Sequence, residues 1–294
     1  MIAFLVFEFN LSKELTALLK SVSPATIDRK LKNEKARYRL KGIRTTKPGS
    51  LLKSQIPIRV CFDRDEKRPG FFEVDTVSHC GARASGQFLQ TLTDAGSGWT
   101  EVCALLNNAH RWVKEQIAQT KANMPFPMLG IDGDNGGEFI NHQLLDWCIQ
   151  NNVKFTRTRP YRKNDNCFVE QKNGDVVRKT VGYARFEGQD ALNALADVYR
   201  FLNPLLNYWY PTFRLIAKEK LSSGRYKKIY EKEAKTPYQR LLESAYISEE
   251  CKAELHRRAA SLNPVTLKRS MDKARDRLLK LSVIESNIPS GKVS

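Results

Sequence analysis

Closely spaced pairs of metal-binding residues are missing from this 294-residue chain. Cys61, Cys80, Cys103, Cys148, Cys167 and Cys251 form no C-x-x-C, and His79, His110, His142 and His256 form no H-x-x-x-H. Zinc fingers and zinc-peptidase helices therefore have no support in the sequence. His79 precedes Cys80, but adjacent strand residues point to opposite faces and a lone cysteine packs as a small hydrophobe, so the pair is not read as a metal site. No long apolar run is present either. The opening MIAFLVFEF is nine residues long, lacks a basic n-region and runs into a charged helical pattern. Neither a signal peptide nor a membrane span fits that pattern, and a cytoplasmic protein is expected. Acidic residues are in deficit: 32 Asp and Glu face 49 Lys and Arg, a formal charge of +17. Such an excess fits a partner with a dense negative backbone, nucleic acid first of all.

Among what is present, a hydrophobic content of 41% is enough for a real core. Residues 1–45 read as helix, turn, helix. LSKELTALLK places Leu11, Leu15, Leu18 and Leu19 on one face, Ser23 precedes Pro24 as an N-cap, and the basic ATIDRKLKNEKARYRL follows. A basic second helix suits the major groove, with Thr26, Asp28, Arg29 and Lys30 nearest the bases; a plain helical hairpin with solvated charges is the alternative. Residues 46–70 read as a linker with several Pro and Gly. Fourteen Lys or Arg against four acids between Arg29 and Arg68 let it lie along phosphates.

From residue 71 the pattern changes to short β-branched and aromatic runs. FFEVDTV (71–77), GQFLQTLTD (86–94) and WTEVCALL (99–106) predict three successive strands. A helix over 107–123, a strand in PFPMLGID (125–132), a helix over 138–150, a strand in VKFTRT (153–158) and a helix from Val169 follow. Three strands, then helix, strand, helix, strand, helix is the order of the ribonuclease H-like fold, an α/β architecture with a mixed sheet flanked by helices. That core is expected over 71–188, followed by a basic helical C-terminal region over 189–294. Residues 214–235 alone hold eight Lys or Arg against three Glu.

Three carboxylates stand out by position. Asp75 lies inside the first strand, Asp134 in the turn after the fourth, and Glu170 in the first turn of the helix after the fifth. A carboxylate in an apolar strand is costly to bury unless it is paired or ligates a metal. Hard oxygen donors with no His or Cys beside them suit Mg²⁺, and two such ions can clamp both oxygens of an in-line phosphoryl displacement. Ahead of Glu170, Arg157, Arg159, Arg162 and Lys163 with Tyr161 form a loop suited to phosphates and an unpaired base; Lys172 and Arg178 lie farther along the helix.

FEVDTVSH, GIDGDNGGEFIN and RPYRKNDNCFVEQKN resemble the three blocks of the DDE transposases with a retroviral-integrase-like catalytic core. In that family an Asp, an Asp followed by Asn-Gly, and a Glu thirty-five residues later bind the metals. Within it, the chain is similar to bacterial insertion-sequence transposases of the ISNCY type, over roughly residues 23–242. The resemblance implies that Asp75, Asp134 and Glu170 hold two Mg²⁺ or Mn²⁺ ions per active site, with Asn135 and Glu138 in support. Asp132 competes for the second place, but Asn135-Gly136 and the thirty-five-residue gap both favour Asp134. The implied activity is end cleavage and strand transfer on DNA by a homo-oligomer. A hydrolysis-only nuclease and a non-catalytic DNA-binding remnant are the alternatives. Related enzymes often carry a basic residue seven positions after the Glu. Here that position is Val177, so Arg178 or Lys179 would substitute.

Overall fold

The computed structural model describes residues 12–23, 26, 29–30, 52, 55–58, 68–79, 86–159, 167–220 and 226–283. The chain divides into two compact units, Met1–Ile43 and Arg44–Ser294. In the first unit, helix α1 (Lys13–Ser21) starts at Ser12, whose hydroxyl accepts the Leu15 N–H. Thr26, Arg29 and Lys30 are also helical, and the remainder of the expected second helix lies outside the described residues.

The second unit is built on a sheet of β1 (Phe71–His79), β2 (Gln87–Asp94), β3 (Thr100–Leu105), β4 (Gly130–Gly133) and β5 (Lys154–Arg157), in the order β3-β2-β1-β4-β5. β1, β2 and β3 pair antiparallel as a meander, whereas β4 and β5 run parallel to β1. This is the ribonuclease H-like arrangement expected from the element order. Helices α2 (His110–Asn123) and α3 (His142–Gln150) make the two crossovers. Helix α4 (Cys167–Lys172) follows β5 and runs on through a π turn (Asn173–Arg178) into Lys179–Val181.

Strand alternation sorts the two cores. Phe72 and Val74 of β1 face one way, into a cluster with Val113, Ile117, Ile131, Leu144 and Phe155. Val77 faces the other way, with Leu89, Val102, Val176, Val177, Leu195 and Val198. The C-terminal helices cover both sides. Helix α5 (Gly188–Pro204) and its π extension Leu205–Trp209 pack beside α8 (Pro264–Lys280), while α6 (Pro237–Glu243) and α7 (Glu249–Ser261) add Leu241 and Leu255 to the first core. Pro204 has no N–H for the bond to the carbonyl four residues back, and beyond it the ladder shifts to i−5, with Tyr210 N–H on the Leu205 carbonyl at 2.9 Å. One correction applies to the helical C-terminal region. Leu215–Lys220 (β6) and Tyr226–Tyr230 (β7) pair as an antiparallel hairpin inside it. Runs such as Leu-Ile-Ala and Lys-Ile-Tyr are short and β-branched, so pairing across a turn suits them better than a helix.

The outer edge of β3 is closed by side chains. The Asn203 amide bonds both the Val102 N–H (3.2 Å) and its carbonyl (3.1 Å); Asn207 does the same for Thr100, at 2.8 and 2.9 Å. Four residues along a helix rise about 6 Å and two along a strand about 6.7 Å, so the two amides match alternate edge positions.

Candidate active site

Sheet register brings the two strand acids together. β1 and β4 are parallel neighbours with Glu73 opposite Asp132 and Val74 opposite Gly133. One step further sets Asp134, the residue just past β4, level with Asp75 in the middle of β1. Asp75 is partly buried, with Oδ1 accepting the Thr76 N–H (2.8 Å) and Oδ2 accepting Asn173 Nδ2–H (2.7 Å). Burial first, then the Asp134 carboxylate, push the Asp75 carboxyl up to about 7; Glu138 and Glu170 add to this and the Thr76 N–H opposes it.

The turn after β4 is folded around its own carboxylates. Gly136 N–H binds Asp134 Oδ1 at 2.7 Å, an Asx-type closure. A Cβ on Gly136 would sit 2.5 Å from Glu138 Oε2 and 2.8 Å from Asp134 Oδ1, so two carboxylate oxygens converge over a glycine. Glu138 lies in this turn ahead of α3, whose N-cap is Asn141, and its Oε1 accepts the Thr76 hydroxyl at 3.3 Å. Asn135 joins the ends of β4 and β5: its Nδ2–H donates to the Thr158 carbonyl (2.8 Å) and its Oδ1 accepts Arg157 (3.2 Å). Asp132 is buried and accepts the Thr156 hydroxyl at 2.8 Å.

Glu170 is exposed in the first turn of α4. Val177 is fully buried, while Arg178 one residue on reaches the Ser78 carbonyl of β1 (3.2 Å) with its guanidinium 4.6 Å over the Tyr183 ring. The π turn over Asn173–Arg178 winds more widely than an α-helix, and within it Val177 turns into the core. Burial pushes the Lys172 ammonium down, with Arg240 adding and Asp175 opposing.

Asp134, Glu138 and Glu170 thus each stand within electrostatic reach of Asp75. Among the described residues, no three His, Cys, Asp or Glu side chains converge on one point as an assembled metal site. His79 is buried against Phe186, and burial pushes its imidazole down to about 4.

The expected DNA contacts fall into separate places. Arg157 is engaged inside the protein, its Nε–H on the Ile56 carbonyl (3.0 Å) and its Nη1–H on Asn135. Arg159, two residues beyond β5, is half-buried, and Arg162 and Lys163 lie outside the described residues. In the first unit Arg29 and Lys30 are exposed, with Arg29 donating to the Thr26 hydroxyl at 3.4 Å.

Sequence reasoning missed two residues. Glu73 is fully buried on β1, and its Oε2 accepts the N–H groups of Phe168 (2.8 Å) and Val169 (3.0 Å). Like Asp75, Glu73 in FFEVD is a carboxylate in an apolar strand. Asn173, three residues after Glu170, carries no comparable signal.

No family model matches the chain. It is 38% identical over 216 residues to "Uncharacterized protein y4rM" of Sinorhizobium fredii (strain NBRC 101917 / NGR234), covering 73% of this chain. The chain spans 62% of the length of that relative. Solved structures that it resembles include a simian T-cell lymphotropic virus intasome in complex with PP2A regulatory subunit B56 gamma, at 15% identity and a TM-score of 0.40, over 72% of this chain and 70% of that one. The catalytic core domain of BIV integrase matches at 15% identity and a TM-score of 0.36, over 49% and 86%. The HTLV-2 integrase catalytic core domain in complex with magnesium matches at 16% and 0.38, over 54% and 94%. Likenesses this distant carry no functional conclusion, and the fold rests on strand order and register.

Proposed function

We propose that the chain is a DNA transposase that cleaves the ends of an insertion sequence and joins them to target DNA. The observation that carries this reading is the parallel register of β1 and β4, which sets Asp134 just past β4 level with Asp75 in mid-β1, with Glu170 close enough to act on the Asp75 carboxyl. The donors are all carboxylate oxygens, two of them meeting over Gly136, and burial together with the neighbouring Asp134 carboxylate raises Asp75 to about 7; such donors suit a hard divalent cation. Asp75, Asp134 and Glu170 would hold two Mg²⁺ or Mn²⁺ ions. When bound, the ions supply charge neutralisation at the attacking and leaving oxygens of an in-line displacement at phosphorus.

The chain's own residues hold this arrangement in place. Thr76 N–H and Asn173 orient Asp75, Gly136 N–H orients Asp134, and the Thr76 hydroxyl keeps Glu138 beside them. In the first step, a water oxygen bonds to the phosphorus at the element end and the bond to the 3′ oxygen breaks, leaving a 3′ hydroxyl. In the second, that hydroxyl attacks a target phosphodiester and a target 3′ hydroxyl departs. Each is one displacement without a covalent enzyme intermediate, so positioning and charge are what the protein contributes. Arg159, Arg162, Lys163, Lys172 and Arg178 are assigned to the DNA strand at the site, and Thr26, Arg29 and Lys30 to the element end. Joining two ends in concert implies a homo-oligomer on DNA.

The test uses the full chain and a duplex carrying the inverted repeats that flank the gene. Asp75→Asn, Asp134→Asn and Glu170→Gln should each abolish Mg²⁺-dependent cleavage and strand transfer while duplex binding stays within a few fold. Asp132→Asn should remain active. Cleavage without strand transfer would leave a nuclease, binding without cleavage a DNA-binding remnant, and active Asp75→Asn protein would refute the site.

A further inference from the structure

We propose that Glu73 is the positioning residue that registers the Glu170 helix on the strand acids, a role that rests on the transposase reading of the site. The first N–H groups of a helix have no partner within it and are usually met by a side chain just ahead of the helix. At α4 this is done from a distance. The Glu73 carboxylate, 95 and 96 residues upstream, takes the Phe168 and Val169 N–H groups on one oxygen. A negative charge at this end also faces the positive pole of the helix.

Position makes the contact more than a cap. Glu73 and Asp75 are two residues apart on one strand and share a face. Phe168 and Val169 are the two residues immediately before Glu170. Glu73 therefore ties the residue preceding one acid to the strand carrying the other. On the far side of Glu170, Asn173 makes the second tie, to Asp75 Oδ2 at 2.7 Å. Glu170 is bracketed by these two bonds, which fix where its helix stands along β1. Burying a carboxylate is costly, and an apolar residue of similar size would fill the space at less expense. Holding the Phe168 and Val169 N–H groups is a role that an apolar residue could not fill.

The experiment compares Glu73→Gln, which keeps one acceptor oxygen, and Glu73→Leu, which keeps none, with the unaltered chain. Mn²⁺ binding is followed by electron paramagnetic resonance without DNA, and single-turnover Mg²⁺-dependent cleavage and affinity are followed on the flanking-repeat duplex. Glu73→Leu should weaken Mn²⁺ about tenfold and slow cleavage about a hundredfold, the cost of a displacement near 1 Å, with duplex affinity unchanged. Glu73→Gln should recover part of both. Wild-type Mn²⁺ affinity and cleavage in Glu73→Leu would overturn the proposal, as would a loss of duplex affinity parallel to the loss of rate. If Glu73→Leu does not fold, Glu73→Gln decides: wild-type behaviour in both assays overturns the role. Asp75→Asn and Glu170→Gln run alongside. If they too bind Mn²⁺ and cleave normally, the reading of the site has failed; if they lose both and the Glu73 variants do not, only the role of Glu73 has.

Discussion

Gly136→Ala tests whether the carboxylates around the turn after β4 are functionally placed. The added methyl would meet Glu138 Oε2 at 2.5 Å, Glu138 Cδ at 2.6 Å and Asp134 Oδ1 at 2.8 Å. These are ends of side chains, so the turn can keep its backbone while both carboxylates retreat. Reaching ordinary contact requires a movement of about 0.6 to 0.9 Å, in the range where misplacement costs up to about a hundredfold in rate. That corresponds to about 2.7 kcal/mol in the activation barrier. The expected outcome is Mg²⁺-dependent cleavage reduced between tenfold and a hundredfold, with duplex affinity and melting temperature near those of the unaltered chain. Gly174→Ala is the companion substitution. Nothing lies within 4 Å of a Cβ there, and replacing a helical glycine should raise stability by about 0.5–1 kcal/mol with activity retained. Measuring single-turnover rates and thermal unfolding on both variants separates the effects. Undiminished cleavage by Gly136→Ala would show that the oxygens over this glycine have no part in the reaction.

Two further substitutions probe the edge of the sheet. Burial pushes the Glu101 carboxyl from the ordinary 4.5 up to about 7, against the hydrogen bonds of Trp99 and Asn203. The folded chain therefore holds this proton more tightly than the unfolded one. The stability contributed is complete below pH 4.5 and is lost as pH rises through about 7. Glu101→Gln, always neutral, should gain on the unaltered chain by up to about 3 kcal/mol between pH 5 and pH 8, and parallel unfolding profiles across that range would contradict the assignment. Asn207→Ala leaves the Thr100 N–H and carbonyl without their side-chain partner. It should cost about 2 kcal/mol in denaturant unfolding, and a loss below about 0.5 kcal/mol would mean that water replaces the amide.

Much of this protein is written in local pattern. The period of two in FFEVDTV and the helical spacing of Leu144 and Cys148 depend on neighbours within a few residues, so the strand and helix order was legible. Asp75, Asp134 and Glu170 could be singled out as candidates in the same way, because a carboxylate in an apolar strand, a Gly-rich turn or a helix start stands out against its immediate surroundings. Tertiary structure decided what depends on distant partners. The capping of α4 by Glu73 spans 95 residues, and the closure of the β3 edge by Asn203 and Asn207 spans more than 100. The π turn that buries Val177 and leaves Arg178 against Ser78 and Tyr183 follows no residue pattern. The pairing of Leu215–Lys220 with Tyr226–Tyr230 was hidden because a run rich in Lys suits a helix or a strand equally, and only the partner strand makes the choice. Composition and periodicity determine which elements form and which acids are exceptional. Only packing sets their mutual distances, because a hydrogen bond of 2.7–3.0 Å between residues far apart in the chain is a property of the assembled sheet.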